Sequence, residues 1–212
     1  MGRASFARWM RAETESRPLR RAAFLDRDGV LVEILRDAEL GVLYTAFHPD
    51  QLRPTPGAAD QVRRLRALGY DCIVVTNQPG PAKGHFPLAQ LDRMNARMHQ
   101  LFSLDAIYSC PHHPEGGPGG DPALVMKCDC RKPAPGMLLR AARERGIDLS
   151  RSVMIGDSLD DVRSGRAAGA RTILLNGGRC ELCPNRGAAQ VAPDATVASL
   201  TEAVDVIARG LE

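Results

Sequence analysis

Apolar residues along this chain fall into short runs separated by stretches of helical spacing. Arg21-Ala22-Ala23-Phe24-Leu25 stops at Asp26-Arg27-Asp28-Gly29, the pattern of a strand running into a tight turn. From Ala58 to Leu68, Val62, Leu65 and Leu68 repeat at helical spacing and Gly69 supplies a stop. Cys72 to Thr76 is a continuous apolar run, as expected of a strand buried on both faces of a parallel sheet. Leu91, Met94, Met98 and Leu101 share one side of a helix over 88–102. Shorter signals predict a strand over 106–108, a helix over 136–145, a strand over 153–155, a helix over 159–168 and a strand over 172–175. A weak strand and helix close the chain at 195–208. This alternation predicts an α/β fold, a Rossmann-like doubly wound parallel sheet flanked by helices.

Two segments break the rhythm. Residues 33–53 are long for a connection, and 110–132 are rich in Gly, Pro, Cys and His. Long loops in compact domains are functional or are held by something. The total of 212 residues predicts a single domain over 21–212, behind a basic extension over 1–20 that carries Arg3, Arg8, Arg11, Arg17 and Arg20. A net charge of +3 implies no general attraction to nucleic acid, and no apolar run reaches membrane-spanning length. A cytoplasmic protein is expected, and nothing demands more than a monomer.

Polar residues gather where the apolar strands end: Asp26 and Asp28, then Thr76 and Asn77, then Asp157 with Asp161 beyond it. Ligands of open parallel sheets bind outside the carboxyl ends of the strands. Acidic groups meeting there repel one another unless a cation offsets them, and hard oxygen ligands favour Mg²⁺. Such a site suits phosphoryl transfer, in which a metal and a lysine stabilise the transferring group and a carboxylate can act as nucleophile. An Asp-x-Asp-Gly turn alone has a purely structural reading. That reading leaves unexplained Thr76-Asn77, Arg131-Lys132-Pro133 and Gly156-Asp157 in order along the chain.

Phe24-Leu25-Asp26-Arg27-Asp28-Gly29-Val30 resembles the first motif of the haloacid dehalogenase superfamily of phosphatases. Thr76-Asn77-Gln78 is similar to its second, Lys132 to its third, and Gly156 through Asp161 to its fourth, so the resemblance runs from about Ala22 to Gly177. It implies that Asp26 attacks phosphorus and ligates Mg²⁺, and that Asp28 serves as general acid and then base, its backbone carbonyl also reaching the metal. Thr76 and Asn77 would hold phosphoryl oxygens and Lys132 would balance charge. Asp157 would complete the magnesium site with Asp161 behind it, in preference to Asp160.

Cys110-Pro111-His112 and Cys128-Asp129-Cys130 flank a loop containing Gly116, Gly117, Gly119 and Gly120. Three thiolates and one imidazole form a closed tetrahedral set, the signature of structural zinc rather than a disulfide framework. Together with the four motifs, this run is similar to the subfamily of D-glycero-D-manno-heptose 1,7-bisphosphate phosphatases and histidinol-phosphate phosphatases. That resemblance implies no large cap domain, a zinc loop over 110–130 that takes part in recognition, and a sugar-phosphate substrate, with removal of the 7-phosphate of the heptose bisphosphate as the leading reaction. Arg131 would meet the remote phosphate or the sugar, and His113 would line the surface. Lys83 is a candidate phosphate contact or a solvated loop lysine. Pro79, Lys83 and Ser158 depart from the heptose pattern, which leaves histidinol phosphate or another sugar phosphate open. A non-catalytic zinc-stabilised module would be expected to lack Asp26, Asp28 or Asp157. Tyr44, Thr45 and His48 in the long 33–53 segment are substrate candidates or parts of a packed flap. Cys180 and Cys183 lack a partner pair and read as unligated thiols, and Cys72 as a core residue.

Overall fold

The computed structural model describes residues 19–175 and 191–210. Strand β1 (Arg21–Leu25) leads into a small antiparallel hairpin of β2 (Leu35–Asp37) and β3 (Val42–Tyr44). Helix α1 (Ala58–Ala67), β4 (Tyr70–Asn77), the short α2 (Gly80–Lys83), α3 (Leu88–Phe102) and β5 (Ala106–Cys110) follow. After the Cys/His-rich loop come α4 (Gly136–Arg145), β6 (Val153–Gly156), α5 (Leu159–Ala168), β7 (Arg171–Leu175), β8 (Ala195–Val197) and α6 (Leu200–Arg209).

Six strands form one sheet in the order β5-β4-β1-β6-β7-β8, every neighbouring pair parallel. The chain winds outward from β1 in one direction, then returns to its other side at β6. The order therefore reverses between β1 and β6, and the carboxyl ends of these two strands flank the crevice where such folds bind ligands. Side chains of β1 alternate between faces, as strand geometry requires. Ala23 and Leu25 join Val62 and Leu65 of α1, Met94 and Met98 of α3 and Val204 of α6. Ala22 and Phe24 join Met137, Leu138 and Ala141 of α4. With apolar layers on both faces, β1 has no solvent side, and its carboxyl end is rigidly placed.

The segment 33–53 is more ordered than a loop. Asp37 Oδ1 accepts from the backbone N–H of Glu39 (3.0 Å) and Leu40 (2.9 Å), turning the hairpin with an Asx-type bend. Leu40, Val42 and Leu43 stand exposed at its tip, while Leu35 is buried at its root. Beyond it, Phe47 stacks on His85 with ring centroids 4.8 Å apart and tilts against Phe86 at 5.8 Å, which fastens the flap to the segment after α2. His48 caps the 3₁₀ turn Pro49–Gln51 and Tyr44 packs beside Phe47, so both serve the flap's own packing. Among the described residues, no helix is long and apolar enough to cross a membrane.

Candidate active site

The turn after β1 is built by backbone hydrogen bonds. Arg27 O accepts from Leu31 N and Val32 N, both at 3.0 Å, and Gly29 N donates to Val32 O at 2.7 Å. Gly29 sits at φ 80°, and a Cβ there would lie 1.9 Å from Asp157 Oδ2. Only glycine lets the Asp157 carboxylate close onto this turn. Inside it, Arg27 is wholly buried and grips both oxygens of Asp28, through Nη2 at 3.0 Å and Nε at 3.2 Å. Gln78, also buried, donates from Nε2 to Asp28 Oδ2 (2.8 Å) and to Thr76 Oγ1 (2.9 Å). The Asp28 carboxylate is thus fixed in one orientation by the ends of two neighbouring strands.

Lys132 occupies the centre. Its ammonium donates to Val75 O at 2.9 Å and forms ion pairs with Asp161 Oδ1 at 2.5 Å and Asp26 Oδ1 at 3.0 Å. The other oxygen of Asp161 accepts from Ser158 N (3.1 Å) and Ser158 Oγ (2.6 Å), the reciprocal half of the capping box that starts α5. Burial works against the Lys132 charge, but Asp161 and Asp26 more than offset it and raise its pKa above the usual lysine value. Asp26 fares differently. Burial pushes its pKa from 3.8 up to about 6, and the repulsion of Asp161 and Asp28 adds to this against the pull of Lys132. Burial is the main cause, and one ammonium shared between two carboxylates does not offset it. The site has an excess of negative charge.

Asp26, Asp157 and Asp161 each place a carboxylate oxygen within 4.8 Å of the others, a spacing that fits one hard divalent cation. The excess charge and the Gly29 opening for Asp157 favour Mg²⁺ in that position. A second cluster lies at the end of β5. Cys110 Sγ is 3.6 Å from Cys128 Sγ and 3.1 Å from Cys130 Sγ, and Cys128 and Cys130 are 3.3 Å apart. His112 Nδ1 lies 3.7 Å from Cys110 Sγ and 3.2 Å from Cys130 Sγ. Donors around a tetrahedral zinc, at about 2.3 Å for sulfur, sit roughly 3.8 Å from one another, whereas a disulfide needs about 2.05 Å. The set fits zinc, with His112 presenting Nδ1. Burial raises the pKa of Cys110 and Cys130, a cost to thiolates that a bound cation would offset.

A family model described as HAD-hydrolase-like matches residues 129–203. The D-glycero-β-D-manno-heptose-1,7-bisphosphate 7-phosphatase of Pasteurella multocida is 37% identical over 76% of this chain and 84% of its own length. The D-glycero-D-manno-heptose-1,7-bisphosphate 7-phosphatase of Thermosynechococcus vestitus is 39% identical over 75% of this chain and 80% of its own. The chain belongs to the heptose bisphosphate phosphatase family of haloacid dehalogenase-like hydrolases. Among solved structures, the D,D-heptose 1,7-bisphosphate phosphatase of B. bronchiseptica, complexed with magnesium and phosphate, superposes with a TM-score of 0.69 at 29% identity, covering 89% of this chain and 98% of that one.

Within this phosphatase, the four motifs meet around Lys132 at the point where strand order reverses. Asn77, a candidate for the phosphoryl oxygens, holds the backbone of Lys132 with both polar ends of its side chain: Nδ2 donates to Lys132 O at 3.0 Å and Oδ1 accepts from Lys132 N at 2.9 Å. Asp160 turns away and pairs with Arg163 at 3.0 Å. Arg131 donates to His112 O at 3.3 Å, which ties it to the Cys/His cluster. His113 bonds through Nδ1 to the backbone of Glu115 and lies outside the cluster. Lys83 ends α2, against which the Cys/His loop packs. Cys180, Cys183 and residues 1–18 lie outside the described residues. Sequence reasoning assigned no role to Arg27 or Gln78. A signal for Arg27 was present in its two flanking aspartates, since buried arginines need a counter-charge; Gln78 adjoined a recognised motif without a charge to mark it.

Proposed function

We propose that the protein is a Mg²⁺-dependent phosphomonoesterase that removes the 7-phosphate of D-glycero-D-manno-heptose 1,7-bisphosphate through an aspartyl-phosphate on Asp26. The observation that carries this reading is Asp26 ion-paired to Lys132 at the strand-order reversal, with Asp28, two residues on, held apart by Arg27 and Gln78. The names of the relatives support the substrate. Asp26 and Asp157, with the Asp28 carbonyl, would hold Mg²⁺, which supplies charge neutralisation of the phosphoryl group when bound. Asp161 stands behind them, its oxygens engaged by Lys132 and Ser158.

Asp26 attacks phosphorus as the bond from phosphorus to the sugar oxygen breaks, and Asp28, acting as general acid, delivers a proton to that oxygen. Asp28, now a carboxylate, takes a proton from water. The resulting hydroxide attacks phosphorus, the Asp26–phosphorus bond breaks, and phosphate leaves. Lys132 offsets charge on the nucleophile and the transferring group. Thr76, aligned through Gln78, takes a phosphoryl oxygen, and Asn77 orients the Lys132 backbone. Arg131 and Lys83 meet the remote phosphate, for which a guanidinium is the better bidentate partner. Zinc on Cys110, His112, Cys128 and Cys130 is structural, and its thiolates suit a reducing compartment such as the cytoplasm.

The test is phosphate release with Mg²⁺ from both anomers of the heptose bisphosphate and from histidinol phosphate, with Asp26→Asn as control. Preference for a heptose bisphosphate supports the reading. Turnover of histidinol phosphate alone overturns the substrate, and turnover surviving in Asp26→Asn overturns the mechanism.

A further inference from the structure

Three glycines outside the motifs occupy one seam. The loop between the two halves of the Cys/His cluster folds back on itself: His113 N donates to Leu124 O at 3.2 Å, and Met126 N to His113 O at 3.0 Å. Its tip then lies against α2, backbone to backbone. Gly117 N donates to Ala82 O at 3.3 Å and Asp121 N to Pro81 O at 3.0 Å. A Cβ on Gly117 would stand 2.4 Å from Lys83 O, and one on Gly120 2.0 Å from Ala82 O. From the other side, a Cβ on Gly84 would stand 2.1 Å from Pro118 O. Neither Gly117 nor Gly120 has a positive φ, so no turn geometry demands glycine there. What demands it is the closeness of the approach, and the obstructing atoms are carbonyls that cannot rotate away.

We propose that Gly117 and Gly120 are specificity-determining positions: they seat the zinc loop on α2 so that Lys83, at the end of that helix, and Arg131, tied to His112, are set as one unit toward the second phosphate. The inference rests on the proposed role of Arg131 and Lys83. Docking makes their separation independent of loop motion, and displacement of a binding group by about 1 Å can cost up to ~10²-fold. Lys132 follows Arg131 directly, but its backbone is held by the Asn77 side chain at the end of β4 and by the zinc cluster rather than by the Gly117–Gly120 stretch, so with zinc retained a substrate without a second phosphate should not sense the seam.

Gly120→Ala and Gly117→Ala test this in the zinc-loaded enzyme. Each is expected to raise KM for the heptose bisphosphate about tenfold or more, to leave kcat/KM for p-nitrophenyl phosphate within about twofold, and to retain one zinc per chain by metal analysis. Hydrogen exchange at the Gly117 and Asp121 amides should be slow in wild type and fast in the variants. Equal losses on both substrates, or an unchanged KM, overturn the proposal. Should neither variant fold, fast exchange at those two amides in the wild-type holoenzyme overturns it on its own. A wild-type enzyme that leaves the bisphosphate untouched fails the functional reading instead, while the exchange data still decide whether the loop is docked.

Discussion

Replacing Asp26 by asparagine should abolish turnover and yet stabilise the magnesium-free protein. In the fold the Asp26 carboxyl titrates at about 6 against an ordinary 3.8, with its side chain 15% exposed. The sign follows from proton counting. Between pH 3.8 and 6 the unfolded chain has released this proton while the native state still holds it, so native stability falls as pH rises through that window. The fall is complete above pH 6 and, at about 1.4 kcal/mol per unit, amounts to roughly 3 kcal/mol. Asparagine has no such charge to bury, but it returns a weaker acceptor to Lys132. A net gain of roughly 1–2 kcal/mol remains, equivalent to about 2–8 °C in Tm for a chain of this size.

The assay is thermal unfolding of wild type and Asp26→Asn, side by side from pH 5 to 8, in buffer without magnesium. No chelator is added, so the Cys/His cluster is in the same state in both and its own pH dependence cancels in the difference. The Tm gap should widen through pH 6 and level off above pH 7. Added Mg²⁺ should then raise the Tm of wild type more than that of the variant, because the cation offsets the charge that only wild type carries. A variant less stable than wild type at pH 8, or a gap that does not change with pH, refutes the charge-excess argument.

Three further outcomes follow from the same geometry. Lys132→Met leaves Asp26 and Asp161 buried without their cation, and should cost about 3–5 kcal/mol in urea unfolding as well as activity. Gly29→Ala forces a Cβ against Asp157 at a positive φ, so magnesium titration of activity should shift to at least about tenfold higher concentration, a loss of about 1.4 kcal/mol or more. Gln78→Leu leaves Asp28 held by Arg27 alone and should lower kcat by about tenfold or more with KM little changed, read from steady-state kinetics at saturating magnesium.

Much of this was legible from residue order. Helices α3, α4 and α5 span the predicted 88–102, 136–145 and 159–168, each followed at once by a residue at φ > 0 (Ser103, Gly146 and Gly169), and α3 also has a clear apolar stripe of Leu91, Met94 and Met98. The hairpin was not legible. Strands of three residues are too short to show a period, and their pairing rests on the Asp37 bend. Nor was α2, whose Gly-Pro-Ala-Lys reads as a turn until the zinc loop packs on it. At the site, motif spacing brought Asp26, Asp28, Asp157 and Lys132 together, but the allocation of hydrogen bonds is a tertiary fact. Asn77 and Thr76 adjoin in sequence, yet one serves the Lys132 backbone and the other the Gln78 amide.

That allocation joins the two metal-type clusters. Asn77 lies in register with Cys110 across β4 and β5, and Gln78 N donates to Cys110 O at 2.7 Å. Asn77 also clamps the backbone of Lys132, which follows Cys130 by two residues. A zinc ion shared by Cys110 and Cys130 would therefore close a small ring through Arg131, Lys132 and Asn77. Opening the ring at the cluster frees one side of the segment that carries Lys132, and the Asn77 clamp alone must then hold an ammonium to two carboxylates. Zinc bound at this cluster would thus do more than order 110–130: it would also fix the cation on which the nucleophile depends.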